Sequence, residues 1–132
     1  MKTVLANGCF DLLHVAHLRH LEEARTFGHR LVVGVTLDDY VGKGAGRPVI
    51  PQAERLEMVR GLRCVDDAFL CKDSLDALRR ARPDIFVKGN DYLKKGLLMA
   101  EIKLCEAKGI EIRLTSPNPQ TTTEIIGRLE CV

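Results

Sequence analysis

Five short runs of strand-forming residues recur from one end of the chain to the other, and helical spacing fills the gaps between them. The runs are Thr3–Ala6, Leu31–Thr36, Ala68–Cys71, Ile85–Lys88 and Glu111–Leu114. Each is nearly continuous in apolar residues or alternates, as strands covered by helices on both faces do. Parallel strands need long crossover connections, usually helices, so strand–helix alternation predicts an α/β chain with a mostly parallel five-stranded sheet. At 132 residues it holds material for a single domain.

The helical stretches carry their own punctuation. Val15–Phe27 places Leu18, Leu21 and Ala24 on one side, and Gly28 follows as a C-terminal cap. Pro51 suits the first turn of the next helix. Ser74–Ala81 is expected to start on Ser74 as N-cap and to stop before Pro83, and Leu97–Lys108 stops at Gly109. A last helix begins near "TTTEII", where threonine hydroxyls can cap free N–H groups and Glu124 suits the positive end. The irregular piece Leu37–Ile50, with Gly42, Gly44 and Gly46, is long enough to be a functional loop.

Composition narrows the function classes. A net charge of +2 without a dense Lys/Arg block or interleaved aromatics does not point to nucleic acid, and it suits a small anionic ligand. No apolar stretch approaches the ~20 residues of a membrane span, and the run at the N-terminus is too short for a secretion signal. Cys9, Cys64, Cys71, Cys105 and Cys131 are irregularly spaced and form no CxxC or zinc-ligand pattern, so they read as reduced, buried thiols in a cytoplasmic protein.

In parallel α/β sheets ligands bind beyond the carboxyl ends of strands, where helix N-termini present unpaired N–H groups to anions. The stretch "NGCFDLLHVAH", Asn7 to His17, occupies such a place. His14 and His17 are three residues apart at a helix start and share one face. Two imidazoles beside a helix N-terminus can donate to phosphate oxygens. The spacing alone also fits a surface pair or part of a zinc site, although no Glu within it completes a metalloprotease pattern.

"GCFDLLHVAH" resembles GxFDxxHxGH, the signature of the cytidylyltransferase-like nucleotidyltransferases, and "QTTTEII" resembles their C-terminal STTxI element. Between them "GRPVIPQAERLEMVRGLRCVD" and "RPDIFVKGNDY" are similar to the nucleotidyltransferase domain of bacterial ADP-heptose synthases, more than to the glycerol-phosphate cytidylyltransferases. The resemblance implies a Rossmann-like, doubly wound sheet with a nucleoside triphosphate over the first strand–helix turn. It implies Cys9, Phe10, His14 and His17 around the phosphates, Lys43 approaching phosphates from the glycine-containing loop, and Arg55 supporting the phosphate site. It further implies Gly89, Asn90 and Asp91 at base and ribose, Lys88 toward the acceptor phosphate, and Thr121, Thr122 and Thr123 on the β- and γ-phosphates.

The local residues offer plainer roles as well. Lys43 fits a solvated loop lysine, and Arg55 fits pairing with Glu54 or Glu57 on its own helix. "GND" is also turn chemistry, and the threonines also fit pure capping. The implied activity is transfer of AMP from ATP to a sugar 1-phosphate such as heptose 1-phosphate, with Mg2+ carried on the triphosphate and a homodimer as the assembly. FMN adenylyl transfer, glycerol-phosphate-type cytidylyl transfer and a nucleotide-binding module without catalysis are the alternatives. Two departures bear on them: Ala16 replaces the second signature glycine, and "SPNPQTTT" lacks the arginine that precedes STT in the glycerol-phosphate branch.

Overall fold

A computed structural model describes residues 1–89, 98–116 and 125–128 of the chain. The strands are β1 (Thr3–Gly8), β2 (Arg30–Thr36), β3 (Asp67–Cys71), β4 (Ile85–Lys88) and β5 (Glu111–Leu114). The helices between them are α1 (Val15–Thr26), α2 (Gln52–Arg60), α3 (Ser74–Ala81) and α4 (Met99–Lys108), with a short 3-10 turn at Asp38–Tyr40. Residues 125–128 are helical too. The threonine run in which the sequence places the start of a last helix lies outside the described residues.

All strand pairs are parallel, in the order β3-β2-β1-β4-β5. This is the expected Rossmann-like doubly wound sheet. Alternation along each strand splits the core into two layers. Val4, Ala6, Val33, Val35 and Val87 pack with Leu21 and Ala24 of α1 and Val59 of α2. On the other face Leu5, Val32 and Phe86 pack with Ala77 and Leu78 of α3 and Cys105 of α4. Each fully buried Val, Leu or Phe side chain among them contributes roughly 1.5–3 kcal/mol of transfer free energy.

The order also fixes where a ligand can sit. From β1 the chain adds strands one way, through β2 to β3, and then returns to add β4 and β5 on the other side. The crevice beyond the carboxyl ends of β1 and β4 is therefore the topological switch point. Gly8 ends β1 and Lys88 ends β4 at that crevice.

Three helix ends differ from expectation or sharpen it. α1 closes on Phe27 in right-handed conformation, so Gly28 is not a left-handed cap. Gly28 is needed for space instead: a Cβ there would lie 2.8 Å from the Lys2 carbonyl oxygen and 2.7 Å from Val4 Cγ2. The N-cap of α3 is Asp73, whose carboxylate accepts from Asp76 N at 2.8 Å, and Ser74 is the first helical residue. Gly109 does cap α4 in the left-handed region, at φ 68.

The thiols follow burial. Cys71 and Cys105 are buried, whereas Cys9 and Cys64 are partly exposed. Burial raises the thiol pKa at Cys64, Cys71 and Cys105, and at Cys71 to about 11. Those three are packing groups rather than nucleophiles at neutral pH. Cys131 lies outside the described residues. No helix among the described residues is long and apolar enough to cross a membrane.

Candidate active site

The turn from β1 into α1 is held in an unusual shape. Phe10 and Leu12 both take positive φ, 53 and 47. Left-handed non-glycine residues store strain that the surroundings must hold, and such positions gather at ligand sites. Here the surroundings are polar and buried. Asp11, 1% exposed, accepts from Val49 N and Ile50 N at 2.9 Å and from Arg47 Nε at 3.0 Å. Burial alone would raise its pKa, but those bonds to Val49, Ile50 and Arg47 outweigh it and hold the carboxyl below its usual range.

Arg55 closes the same region from α2. Its Nε donates to Ile50 O at 2.9 Å, one terminal nitrogen to Cys9 O at 2.6 Å, and the other to Asp38 Oδ1 at 2.7 Å. Its guanidinium side chain is 0% exposed. These partners are not the helix neighbours Glu54 and Glu57. Arg55 therefore supports the turn by gripping the Cys9 carbonyl. Together Asp11 and Arg55 tie both ends of the 37–50 loop to the β1–α1 turn. Within that loop Gly42, Gly44 and Gly46 all have positive φ, and Lys43 between them is exposed.

His14 and His17 cap α1 reciprocally. His14 Nδ1 accepts from Ala16 N at 3.2 Å, and His17 Nδ1 accepts from His14 N at 3.1 Å. A ring nitrogen that accepts carries no proton, so in each neutral imidazole the hydrogen sits on Nε2. The pKa of both is lowered: by burial at His14, and at His17 to about 4 by burial together with the charges of His14, His20 and Lys43, against a smaller opposing effect of Asp11. Both rings are thus neutral donors near pH 7. Their centroids lie 4.1 Å apart, and the His17 ring also meets Phe10 at 5.6 Å. His14 Nε2 is buried without a hydrogen-bond partner among the described residues. A phosphate oxygen would satisfy it.

Ala16 is buried and sits in the first turn of α1, with its backbone N–H on His14 Nδ1. The alanine in place of the signature glycine thus leaves the capping geometry complete. At the neighbouring strand end, Lys88 Nζ lies 3.0 Å from Glu101 Oε2 of α4, with both side chains buried. The pairing of β1 and β4 ends with Ala6 beside Val87, one residue short of Asn7 and Lys88, and Asn7 Oδ1 is a second buried atom without a hydrogen-bond partner among the described residues. Gly89 follows β4 at the crevice. Asn90, Asp91, Thr121, Thr122 and Thr123 lie outside the described residues.

A family model described as cytidylyltransferase-like matches residues 5–127. The chain belongs to the cytidylyltransferase-like family. Among the relatives of this nucleotidyltransferase-like domain, the bifunctional protein HldE of Geotalea uraniireducens is 39% identical over 97% of this chain and 27% of its own length. The HldE of Pseudomonas paraeruginosa is 39% identical over 97% of this chain and 28% of its own. The chain thus spans about a quarter of the length of these relatives. A solved lipopolysaccharide core biosynthesis protein from Thermoplasma volcanium superposes with a TM-score of 0.74 at 28% identity, covering 92% of this chain and 99% of that one. Pantothenate synthetase from Thermus thermophilus, 12% identical with a TM-score of 0.64 over 92% of this chain and 57% of its own, shares the fold.

Asp11 and its grip on Val49 and Ile50 were not among the residues read as functional in the sequence. The available signal was a carboxylate set between Phe10 and Leu12 in an otherwise apolar run, which a folded chain can bury only with donors at hand.

Proposed function

We propose that this domain transfers AMP from ATP to a phosphorylated small molecule of the sugar 1-phosphate class, such as heptose 1-phosphate, with release of pyrophosphate. The observation that carries the reading is the histidine pair: two neutral imidazoles with Nε2–H donors at a helix N-terminus, one of them buried and without a partner among the described residues. An acceptor phosphate oxygen attacks the α-phosphorus, that new P–O bond forms, and the bond to the bridging oxygen breaks, its electron pair leaving with pyrophosphate. The acceptor is already anionic, so no general base is needed; the site must align the reactants and stabilise spreading charge.

In this reading His14 and His17 donate to the phosphates, Lys43 adds charge from the loop, and Cys9 and Phe10 offer backbone N–H groups. Thr121, Thr122 and Thr123 hold the β- and γ-phosphates, Gly89, Asn90 and Asp91 line the nucleoside, and Lys88 serves the acceptor end. Among the described residues no group of three or more His, Cys, Asp or Glu side chains could hold a metal ion. Magnesium is assigned to the triphosphate, where it would neutralise phosphate charge. The ATP and sugar-phosphate assignments rest on likeness to ADP-heptose synthases.

The test is a matrix of ATP and CTP against heptose 1-phosphate, glycerol 3-phosphate and FMN, read as pyrophosphate release. ATP with the sugar 1-phosphate is expected to give the highest kcat/KM. Triphosphate binding without release for any acceptor would overturn the reading in favour of a module without catalysis.

A further inference from the structure

His14, His17, His20 and Glu23 stand at three-residue intervals from the N-cap of α1 onward, and at 3.6 residues per turn they wind around the helix rather than share a face. The first two face the proposed phosphate site, and the last two do something else. His20 Nδ1 lies 2.7 Å from Thr115 Oγ1. Glu23 takes both donors of Ser116: the backbone N at 2.7 Å on Oε2, and the hydroxyl at 2.7 Å on Oε1. The Ser116 bonds are the main reason the Glu23 carboxyl stays below its usual range.

Thr115 and Ser116 immediately follow β5 and are anchored to the sheet. Thr115 is 1% exposed, and its N donates to Lys88 O at 3.0 Å. A continuous set of bonds thus runs from the end of β4 through Thr115 and Ser116 to α1, one turn beyond His17. The apolar side of α1 is poorly suited to fixing the helix about its axis, because two of its three buried residues, Ala16 and Ala24, are alanines. Small side chains make few interlocking contacts.

We propose that His20 and Glu23 are positioning residues that fix the rotation of α1 against the exit of β5, and so aim the His14 and His17 donors. The proposal rests on the histidines binding phosphate. Neither His20 nor Glu23 needs contact with substrate; each acts through the helix.

The test uses the full chain with Glu23→Ala, Glu23→Gln and His20→Ala, and two readouts. The first needs no ligand: the ring contact between His17 and Phe10, 5.6 Å between centroids, joins α1 to the turn before it and reports helix rotation by NMR. Its cross-peaks are expected to weaken and shift in both alanine variants, and to recover in Glu23→Gln, whose amide oxygen still accepts from Ser116. The second is calorimetric binding of inorganic pyrophosphate. The alanine variants are expected to bind about three- to tenfold more weakly, the scale of losing one or two partly exposed hydrogen bonds, with Glu23→Gln close to wild type. An unchanged His17–Phe10 contact in both alanine variants, or a Glu23→Gln variant no better than alanine, overturns the proposal. Wild-type protein that binds neither pyrophosphate nor ATP overturns instead the functional reading beneath it, and the NMR readout still decides whether the clamp sets the helix.

Discussion

At residue scale the two histidines show how much chemistry a local cap can set. Each ring spends Nδ1 on a backbone N–H of the helix start, which leaves Nε2–H for a ligand. Replacing either by alanine is expected to lower kcat by about 10²–10³, the cost of losing one preorganised oxyanion donor. Pyrophosphate release near the wild-type rate in both variants would refute their role. Ala16 makes a separate prediction. Because its backbone N–H alone serves the cap, Ala16→Gly keeps the site geometry and loses helix propensity together with the burial of one methyl group. Unfolding free energy is expected to fall by about 1–2 kcal/mol, with triphosphate affinity preserved or improved. Calorimetry showing a large loss of affinity would mean that the buried methyl group itself shapes the site.

At the scale of elements, the phosphate turn depends on pieces far from it in sequence. The histidine motif, the glycine-containing loop and the strand periodicity were legible in the chain, because each is a short-range pattern. The bonds that hold them together were not. Asp11 finds Val49 and Ile50 across 38 and 39 residues, and Arg55 reaches Cys9 across 46. Local spacing offered Arg55 only its helix neighbours Glu54 and Glu57. The same limit explains Gly28, which looked like a cap by position but is required by the approach of Lys2, just before β1, and Val4 within it. Arg55→Lys cannot reproduce three directed donations, so a loss of about 2–4 kcal/mol is expected in urea unfolding, between the values for an unsatisfied buried group and a broken buried ion pair. Asp11→Asn turns an amide toward backbone donors and is expected to cost about 1–3 kcal/mol. Since Asp11 anchors the loop that carries Lys43, Lys43→Ala should weaken triphosphate binding less in the Asp11→Asn background than in wild type. Strict additivity in that double-mutant cycle would separate the loop from the site.

For the whole molecule, the ionisable groups that build the site also set its pH range. His17 titrates at about 4 when folded against an ordinary 6.5, and His14 is shifted the same way. Between those pH values the unfolded chain binds more protons than the native one, so stability falls as pH drops from 6.5 toward 4. Asp11 and Glu23 act in the next window. Their folded pKa values lie below the ordinary 3.8 and 4.5, so the stability they contribute is present above those values and lost as pH falls through the folded ones. On the alkaline side Cys71 holds its proton to about 11 against an ordinary 9.0, so stability declines as pH rises through that interval. A plateau in unfolding midpoint is therefore expected between about pH 6.5 and 9, with a decline on each side whose causes are separable. His17→Asn keeps an acceptor for His14 N but cannot titrate. Its thermal midpoint should fall less steeply than wild type from pH 6.5 to 4 and run parallel to wild type above 6.5. Parallel curves throughout would show that the neutral His17 cap does not govern the acid limb, and would leave the tautomer assignment at the proposed phosphate site without its thermodynamic support.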